Sequence, residues 1–354
     1  MFHFNIDPKP YIEVNRRIER ILPLLTPTGV VLGILAGAFL PFTQEPHDSW
    51  ITPLVTVLFG FMTFSGALSM SVKDFGAIVR KPKHSIITFI GTHIILPFLF
   101  YHIAFFFFPS QPDIPLGFLL LFSCPTGVVS HVWAGIYGGY GPLSLTIIII
   151  DTLLAPLVVP LSVSLISGTS ITIDAMGMMQ SLFWMVAFPA VLGMVVNQAS
   201  QGKVARTVLP VSKPFAKLAL LLVVILNTSR IAPEILAMTA GDIPIILMAI
   251  GLVAISFPLA RLMSHLSGIR ELPRAVSVTC GMSIRNISAA LVLAIEFFPP
   301  RSAIPVIAGI LIQQTLCALM GRLMFAIKQS STQDNPTSEA GDMSTLHTTG
   351  SSQS

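Results

Sequence analysis

The chain has 354 residues, of which 53% are hydrophobic and only 10% are charged, and its mean hydropathy is +0.81. This composition excludes a soluble globular domain and is typical of a polytopic membrane protein. The net charge of +4 comes from basic residues scattered between apolar runs, so membrane topology explains it better than nucleic-acid binding does. The cysteines Cys124, Cys280 and Cys317 all lie in apolar segments and indicate neither a disulfide framework nor a zinc site.

Apolar stretches of membrane-spanning length recur along the chain, and we predict an all-α membrane protein with ten transmembrane helices. The predicted spans are 22–43, 51–70, 84–108, 115–139, 142–168, 177–198, 213–230, 243–265, 272–298 and 301–328. The preceding segment, 1–21, has mixed charges that are unlike a cleavable signal peptide, so the first span is expected to remain. The Ser- and Thr-rich tail, 329–354, is expected to be disordered.

The positions of Lys and Arg predict the orientation of the chain in the membrane. All but three of the 20 basic residues lie in the N-terminal segment, in alternate connections or in the tail. Arg230 and Arg301 lie on the opposite side, and Arg285 lies inside a span. Because basic residues accumulate on the cytoplasmic side, both termini are expected to be cytoplasmic, in a plasma (inner) membrane.

Two of the predicted spans are interrupted near their middle. Pro125 and Gly127 are expected to break the fourth span, and Gly281 is expected to break the ninth. The interrupted segments are Ser123-Cys-Pro-Thr-Gly-Val-Val-Ser-His131 and Thr279-Cys-Gly-Met-Ser-Ile-Arg-Asn-Ile-Ser288. Backbone N–H and C=O groups that lose their helical partners at such a break are tolerated in a membrane only where they are buried in protein or line a polar cavity. Broken helices at corresponding places in two halves of a chain indicate the binding site of a secondary transporter.

The two breaks also predict the symmetry of the chain. Each falls in the fourth span of a group of five, and five is odd, so the two groups must have opposite topology. We therefore predict two inverted five-helix repeats, 22–168 and 177–328, joined near residues 168–173.

Charged side chains inside the predicted spans are candidates for function. A charge at this depth costs at least about 2.5–3.5 kcal/mol, so Arg285 is expected to face the protein interior. It either binds an anion near the amino end of the second half-helix or forms a structural ion pair with Asp151, and the two roles can coexist. Asp151 in turn is either a proton acceptor or only neutralises this arginine.

Other polar side chains cluster in or near the two breaks. His131 either titrates, contacts a substrate or forms a hydrogen bond between helices. Asn227 either lines a cavity or caps the end of the seventh span. Hydroxyl and amide oxygens can bind a hard alkali cation, and they occur here at Ser130, Ser144, Thr92, Thr279, Ser283 and Asn286. Ser and Thr side chains also form hydrogen bonds between membrane helices, which is the alternative role for these residues. The sequence has no His-Glu-x-x-His motif, no Gly-x-Ser-x-Gly motif and no Walker phosphate loop, which argues against an enzyme and against an ATP-driven pump.

Over about residues 30–323 the sequence resembles the bile acid:sodium symporter family. The segments that carry the resemblance are Leu58-Phe-Gly-Phe-Met-Thr-Phe-Ser-Gly-Ala-Leu68, Cys124-Pro-Thr-Gly-Val-Val-Ser130, Leu153-Leu-Ala-Pro-Leu-Val-Val-Pro160, and Gly281-Met282 with Asn286. The resemblance implies ten spans in two inverted repeats, a panel domain and a core domain. It also implies that broken helices four and nine cross in the core and that transport proceeds by alternating access.

The residues that the resemblance identifies as sodium ligands are only partly kept. Thr279, Ser283 and Thr92 stand where sodium-coupled members have an acidic residue and two glutamines. His131 replaces an asparagine, and Ile148 replaces a threonine. We therefore expect Arg285 to substitute for one bound sodium, which weakens or abolishes sodium coupling. Asp151 and His131 are then candidates for proton coupling. The alternative is that one sodium site remains, built from Ser130, Ser144 and backbone carbonyls.

The sequence thus predicts a secondary transporter that moves a small organic anion by alternating access, with sodium or a proton as the coupling ion and no other cofactor. The residues expected to bind the substrate are Thr126, Gly127, Ser130, His131, Ser283, Arg285, Asn286 and Asn227. Those expected to bind or couple the cation are Thr92, Ser130, Ser144, Asp151, Thr279 and Ser283. A sodium-independent transporter or exporter is the alternative, and a membrane ligand sensor is a more distant one.

Overall fold

The computed structural model describes residues 9–39, 50–70, 82–168 and 174–325. Within these ranges every regular element is helical and no β-strand occurs. The helices are α1 (Lys9–Phe39), α2 (Ile51–Ala67), α3 (Lys83–Phe107), α4 (Asp113–Ser123), α5 (Val129–Ile136), α6 (Gly141–Ser167), α7 (Ala175–Ala199), α8 (Lys203–Arg230), α9 (Ala232–Leu236), α10 (Ile243–Leu266), α11 (Leu272–Ser283), α12 (Ile287–Phe297) and α13 (Ala303–Met324). Single π-helical turns interrupt α3 at Gly91–Ile95 and α7 at Phe183–Ala187.

The lengths and surfaces of these helices are those of an integral membrane protein. Six helical segments are each long and apolar enough to cross a bilayer, namely α3, α6, α7, α8, Ala240–Leu266 and Pro300–Met324. Shorter apolar helices are Thr28–Phe39, α2, α4 and α12. Large apolar side chains such as Phe106, Leu165 and Leu323 are exposed on the outer surface, where lipid would cover them.

Two helices extend beyond the apolar stretches that mark them in the sequence. Helix α1 begins at Lys9, before the predicted span 22–43, and α8 begins at Lys203, before the predicted span 213–230. Hydropathy identifies only the apolar part of a helix, whereas backbone hydrogen bonds continue through its polar end. The predicted tail, 329–354, and most of the junction between the predicted repeats lie outside the described residues.

Helices α1, α2, α7 and α8 pack together, and α1 and α8 approach closely. Glycines recur at every fourth position of α1, at Gly29, Gly33 and Gly37. A Cβ atom at Gly33 would lie 2.7 Å from the Thr228 Cβ, and one at Gly37 would lie 2.2 Å from the Ser229 carbonyl oxygen. Small residues at this spacing let membrane helices pack backbone against backbone.

The remaining long helices form a second packed group around the two short helices α4 and α12. Helix α13 contacts α4, α10 and α12, while α11 contacts α5, α6 and α10. Helix α4 is buried from Ile114 to Ser123, and α12 is buried from Ala289 to Ile295. These half-length helices are apolar on all sides because protein, rather than lipid, surrounds them.

Candidate functional site

The two interrupted segments face each other in the interior of the second group. The first lies between α4 and α5, and the second lies between α11 and α12. The Gly127 amide donates to the Ile284 carbonyl oxygen at 3.0 Å, and the Asn286 amide donates to the Pro125 carbonyl oxygen at 2.8 Å. Thr126 and Arg285 form an antiparallel bridge between them. Each break therefore satisfies backbone groups that the other leaves free, as an apolar environment requires.

Gly127 lies in the first break as predicted, between the end of α4 at Ser123 and the start of α5 at Val129, whereas Gly281 does not lie in the second break. Gly127 allows the close approach of the two chains, since a Cβ atom there would lie 2.8 Å from the Arg285 carbonyl oxygen. The prediction that Gly281 breaks the ninth span is wrong, because α11 continues through it and ends at Ser283. A Cβ atom at Gly281 would lie 3.0 Å from the Ile147 Cγ2 atom. Gly281 is therefore a helix-packing position, and Arg285 is a residue of the break.

Thr126 connects the crossing to two neighbouring helices. Its amide donates to the Oδ2 atom of Asp151 in α6 at 2.5 Å. Its hydroxyl donates to the carbonyl oxygen of Gly281 in α11 at 2.9 Å. The hydroxyl predicted to contact substrate thus already bonds to the protein, and Thr126 holds the two breaks in register.

The guanidinium group of Arg285 is buried and has no partner among the residues that the structure describes. The residue is 2% exposed, and none of its three side-chain nitrogens has a hydrogen bond. The structural ion pair considered between Arg285 and Asp151 is not formed, because the Asp151 carboxylate bonds instead to His93 and to the Thr126 amide. The backbone of Arg285 is held by Gln313, which accepts from its amide at 2.9 Å and donates to its carbonyl oxygen at 3.1 Å.

His93 is the hydrogen-bonding partner of Asp151, and both side chains are buried. The Nε2 atom of His93 contacts the Oδ1 atom of Asp151. His93 lies in the π-helical turn of α3, a local irregularity that often occurs at functional sites. His93 was not among the residues predicted to bind substrate or cation. His102, nine residues further along α3, is exposed, and its Nδ1 atom hydrogen-bonds to the Phe98 carbonyl oxygen at 2.8 Å.

Four of the predicted cation ligands are buried hydroxyl groups that have no hydrogen-bond partner within the described ranges of the chain. They are Thr92 in α3, Ser144 in α6, and Thr279 and Ser283 in α11. The π-helical turn of α3 packs against both α6 and α11, so these hydroxyls lie on three helices in contact. Buried polar atoms normally have a partner, and such unsatisfied groups are open to an ion, a water molecule or a ligand.

The other predicted substrate residues occupy both groups of helices. Ser130 is buried in the first turn of α5, and the neighbouring His131 has a buried Nδ1 atom without a partner. Asn286 caps α12, because its Oδ1 atom accepts from the Ala289 amide at 3.4 Å. Asn227 does not cap α8, since both of its side-chain polar atoms are buried without a partner. It lies on α8, which packs with α1 and α2 and also contacts α12.

A cavity of about 600 Å³ lies elsewhere, where the ends of α2 and α7 meet the start of α8. Leu68, Asn197, Arg206 and Lys213 contribute to its lining, together with neighbouring residues of the same helices. The cavity therefore belongs to the α1, α2, α7 and α8 group, whereas Arg285 and Asp151 belong to the other.

The fold and the site define an integral membrane protein in which two interrupted helices meet in the interior at the buried side chain of Arg285. The profile of the sodium bile acid symporter family matches residues 56–239, which is more than half of the chain. The protein belongs to this family of transporters, as the resemblance in the sequence predicted.

Curated relatives cover most of the chain. It is 36% identical over 303 residues to "Uncharacterized protein YbaS" of Bacillus subtilis (strain 168), an overlap of 86% of this chain and 96% of the relative. It is 28% identical over 278 residues to "Uncharacterized sodium-dependent transporter YocS" of the same organism, covering 77% and 83% of the two chains. It is also 28% identical over 296 residues to "Probable sodium/metabolite cotransporter BASS2, chloroplastic" of Oryza sativa subsp. japonica, covering 81% and 67%.

Proposed function

We propose that this protein is a secondary transporter that moves an organic anion by alternating access and that Arg285 binds the anion. The observation that carries the proposal is the buried guanidinium group, which has no hydrogen-bond partner among residues 9–39, 50–70, 82–168 and 174–325. Leaving a buried charge unpaired costs several kcal/mol, roughly 3–5 where one partner of a buried pair is removed. A carboxylate or sulfonate of the substrate would supply the missing partner through two parallel hydrogen bonds.

The surroundings of Arg285 also favour an anion. Helix α12 begins two residues later, at Ile287, and the free amides at its amino end carry partial positive charge. The hydroxyl of Ser283 lies at the end of α11 on the other side of the break and has no partner. We assign substrate contacts to Ser283 and Asn286 beside Arg285, to Ser130 and His131 at the start of α5, and to Asn227 of α8.

The proposal includes the symmetry predicted from the sequence, with ten spans in two inverted repeats, 22–168 and 177–328. The antiparallel bridge between Thr126 and Arg285 supports it, because a two-fold axis in the membrane plane relates equivalent segments in this way. Helices α1, α2, α7 and α8 would be the panel domain, and the remaining long helices would be the core domain. Both termini would be cytoplasmic, in the plasma (inner) membrane, as the Lys and Arg distribution suggests.

Sodium coupling is a second candidate. The names of two relatives describe a sodium-dependent transporter and a sodium/metabolite cotransporter. The hydroxyl groups of Thr92, Ser144, Thr279 and Ser283 are buried and have no partner, and hydroxyl oxygens suit a hard cation. They provide no carboxylate, however, and sodium bound beside Arg285 would meet a like charge.

Uptake into proteoliposomes tests the proposal. Labelled short-chain monocarboxylates, cholate and taurocholate are offered with a sodium gradient, a proton gradient or no gradient. We expect saturable uptake of at least one anion, loss of that uptake in Arg285→Gln, and retention in Arg270→Gln, which changes an exposed arginine. Full activity of Arg285→Gln would overturn the proposal. Accumulation driven by sodium would favour the second candidate, and binding without flux would favour a sensor.

A further inference from the structure

The buried pair His93–Asp151 is hydrogen-bonded to Thr126, whose backbone lies opposite that of Arg285 where the two breaks cross. The Nε2 atom of His93 contacts Asp151, whose other carboxylate oxygen accepts from the Thr126 amide at 2.5 Å. Thr126 is in turn bridged to Arg285. We infer that His93 and Asp151 form the proton-binding site that couples anion movement to the proton gradient. This inference rests on the proposed anion transport.

The pair has an open position for one further proton. In the neutral imidazole the Nε2–H group donates to the Asp151 carboxylate, which leaves the lone pair of the Nδ1 atom free. The Nδ1 atom of His93 is buried and has no hydrogen-bond partner in the part of the chain that the structure describes. A proton from water on one side of the membrane binds at Nδ1, forms an imidazolium beside the carboxylate, and returns to water on the other side. No covalent bond to carbon changes in this cycle.

The charges around the crossing link this proton to the anion. With His93 neutral, the positive charge of Arg285 and the negative charge of Asp151 sum to zero. A bound monoanion leaves one excess negative charge in a buried site, which is costly, and a proton on His93 removes that excess. Anion and proton therefore strengthen each other's binding, and linkage requires the effect to be reciprocal. The expected stoichiometry is one proton per monoanion, with no net charge moved.

Of the ionisable side chains on the elements around the pair, we assign binding of the coupled proton to His93. The π-helical turn that contains His93 packs against α4, α6 and α11, and the Phe89 ring lies 4.8 Å from the His93 ring. The ionisable groups of α4 and α6 are Asp113 at the start of α4, Cys124 just after its end, and Asp151 of α6. Those of α11 and the following break are Arg274, Cys280 and Arg285. Helix α3 itself carries Lys83, His84, Tyr101 and His102. An imidazole is the side chain whose unperturbed pKa lies nearest physiological pH. His84 and His102 each lie nine residues from His93 along α3, about two and a half helical turns.

The experiment follows protons and anions together in proteoliposomes that contain a trapped pH-sensitive dye. An inward gradient of labelled anion is applied without a pH gradient, and the membrane potential is clamped at zero. Taurocholate is included because its sulfonate stays ionised and carries no proton through lipid. We expect the wild-type protein to acidify the lumen by one proton per anion and to accumulate the anion severalfold when an inward proton gradient is added.

Two variants test the assigned residues. His93→Gln keeps a donor for Asp151 but cannot bind the proton, and Asp151→Asn removes the carboxylate that compensates the imidazolium. Both are expected to lose the dye signal and the proton-driven accumulation. His102→Gln is the matched control, since it changes an exposed histidine of the same helix and should keep both.

The outcomes separate this inference from the proposed function. Wild-type anion uptake without proton movement overturns the inference and leaves anion transport standing. The same holds if either variant reaches the membrane in wild-type amounts and still moves one proton per anion. Absence of Arg285-dependent uptake for every anion overturns both proposals.

Discussion

Gln313 holds the peptide backbone of Arg285 with both ends of its side-chain amide. The Oε1 atom accepts from the Arg285 amide at 2.9 Å, and the Nε2 atom donates to the Arg285 carbonyl oxygen at 3.1 Å. A break in a membrane helix leaves backbone groups of this kind without intrahelical partners, and lipid cannot supply them. Helix α13 therefore fixes the position of the residue that binds the anion in our proposal.

Replacing Gln313 with Met should weaken both the fold and anion binding. The change removes two hydrogen bonds, each worth about 0.5–1.5 kcal/mol net, and leaves buried backbone groups unpaired at a cost of about 1–3 kcal/mol each. We expect a lower Tm in detergent and a higher KM for uptake. Gln314→Met is the matched control, because Gln314 instead accepts from the Trp133 indole of α5 at 2.9 Å. A wild-type KM in Gln313→Met would show that the two hydrogen bonds from Gln313 do not position Arg285.

Arg285→Lys should keep the charge but lose the geometry of the guanidinium group. Lysine is a point charge and cannot form the two parallel hydrogen bonds that a planar guanidinium makes with a carboxylate. One lost charge-assisted hydrogen bond, about 1.5–3 kcal/mol, raises the KM for a carboxylate anion about tenfold or more. The concentration dependence of uptake measures this change. An unaltered KM would mean that only the positive charge matters at this position.

Gly127→Ala should disrupt the crossing of the two breaks. The added Cβ atom would lie 2.8 Å from the Arg285 carbonyl oxygen, closer than such contacts occur, so the two chains would have to separate. We expect loss of most uptake together with a lower Tm. Gly135→Ala in α5 is the control, because a Cβ atom there has no neighbour within 4 Å. Alanine favours a helix over glycine by about 0.5–1 kcal/mol, so the control should be neutral or slightly more stable.

Gly33→Ala should separate α1 from α8 and lower stability. Its Cβ atom would lie 2.7 Å from the Thr228 Cβ atom and 2.8 Å from the Ile225 carbonyl oxygen, neither of which can rotate away. We expect a lower thermal midpoint in detergent, because overpacking of this kind lowers the free energy of unfolding by about 1–3 kcal/mol. Gly251→Ala in α10 meets no atom within 4 Å and should leave the midpoint unchanged. Equal midpoints for the two variants would contradict the close packing of α1 and α8.

The sequence predicted the features that depend on local chemistry. Pro125 and Gly127 located the first break, although prolines elsewhere, such as Pro156 and Pro160 of α6, lie inside a continuous helix. Arg285 was expected in the interior because the cost of exposing its charge to lipid does not depend on the fold. Membership of the symporter family was also predicted, and the family profile confirmed it.

The partners of these residues were not predictable in the same way. Asp151 was considered as the partner of Arg285, whereas it contacts His93, because apolar periodicity does not report which polar faces of separate helices meet. The second break was expected at Gly281, although a glycine that packs against Ile147 looks the same in sequence as one that ends a helix. Gln313 was missed, although two successive glutamines, Gln313 and Gln314, in an apolar span were an available signal.

The hydrogen bonds of Thr126 also constrain when the structure can form during synthesis. The residue that accepts from its hydroxyl, Gly281, is 155 positions later in the chain. When the first break leaves the ribosome, the partners of Gly127 and Pro125 have not yet been made. The hydrogen bonds that join the two breaks can therefore form only after the second interrupted segment has been synthesised. Two separately expressed halves should accordingly be degraded when alone and become stable when produced together.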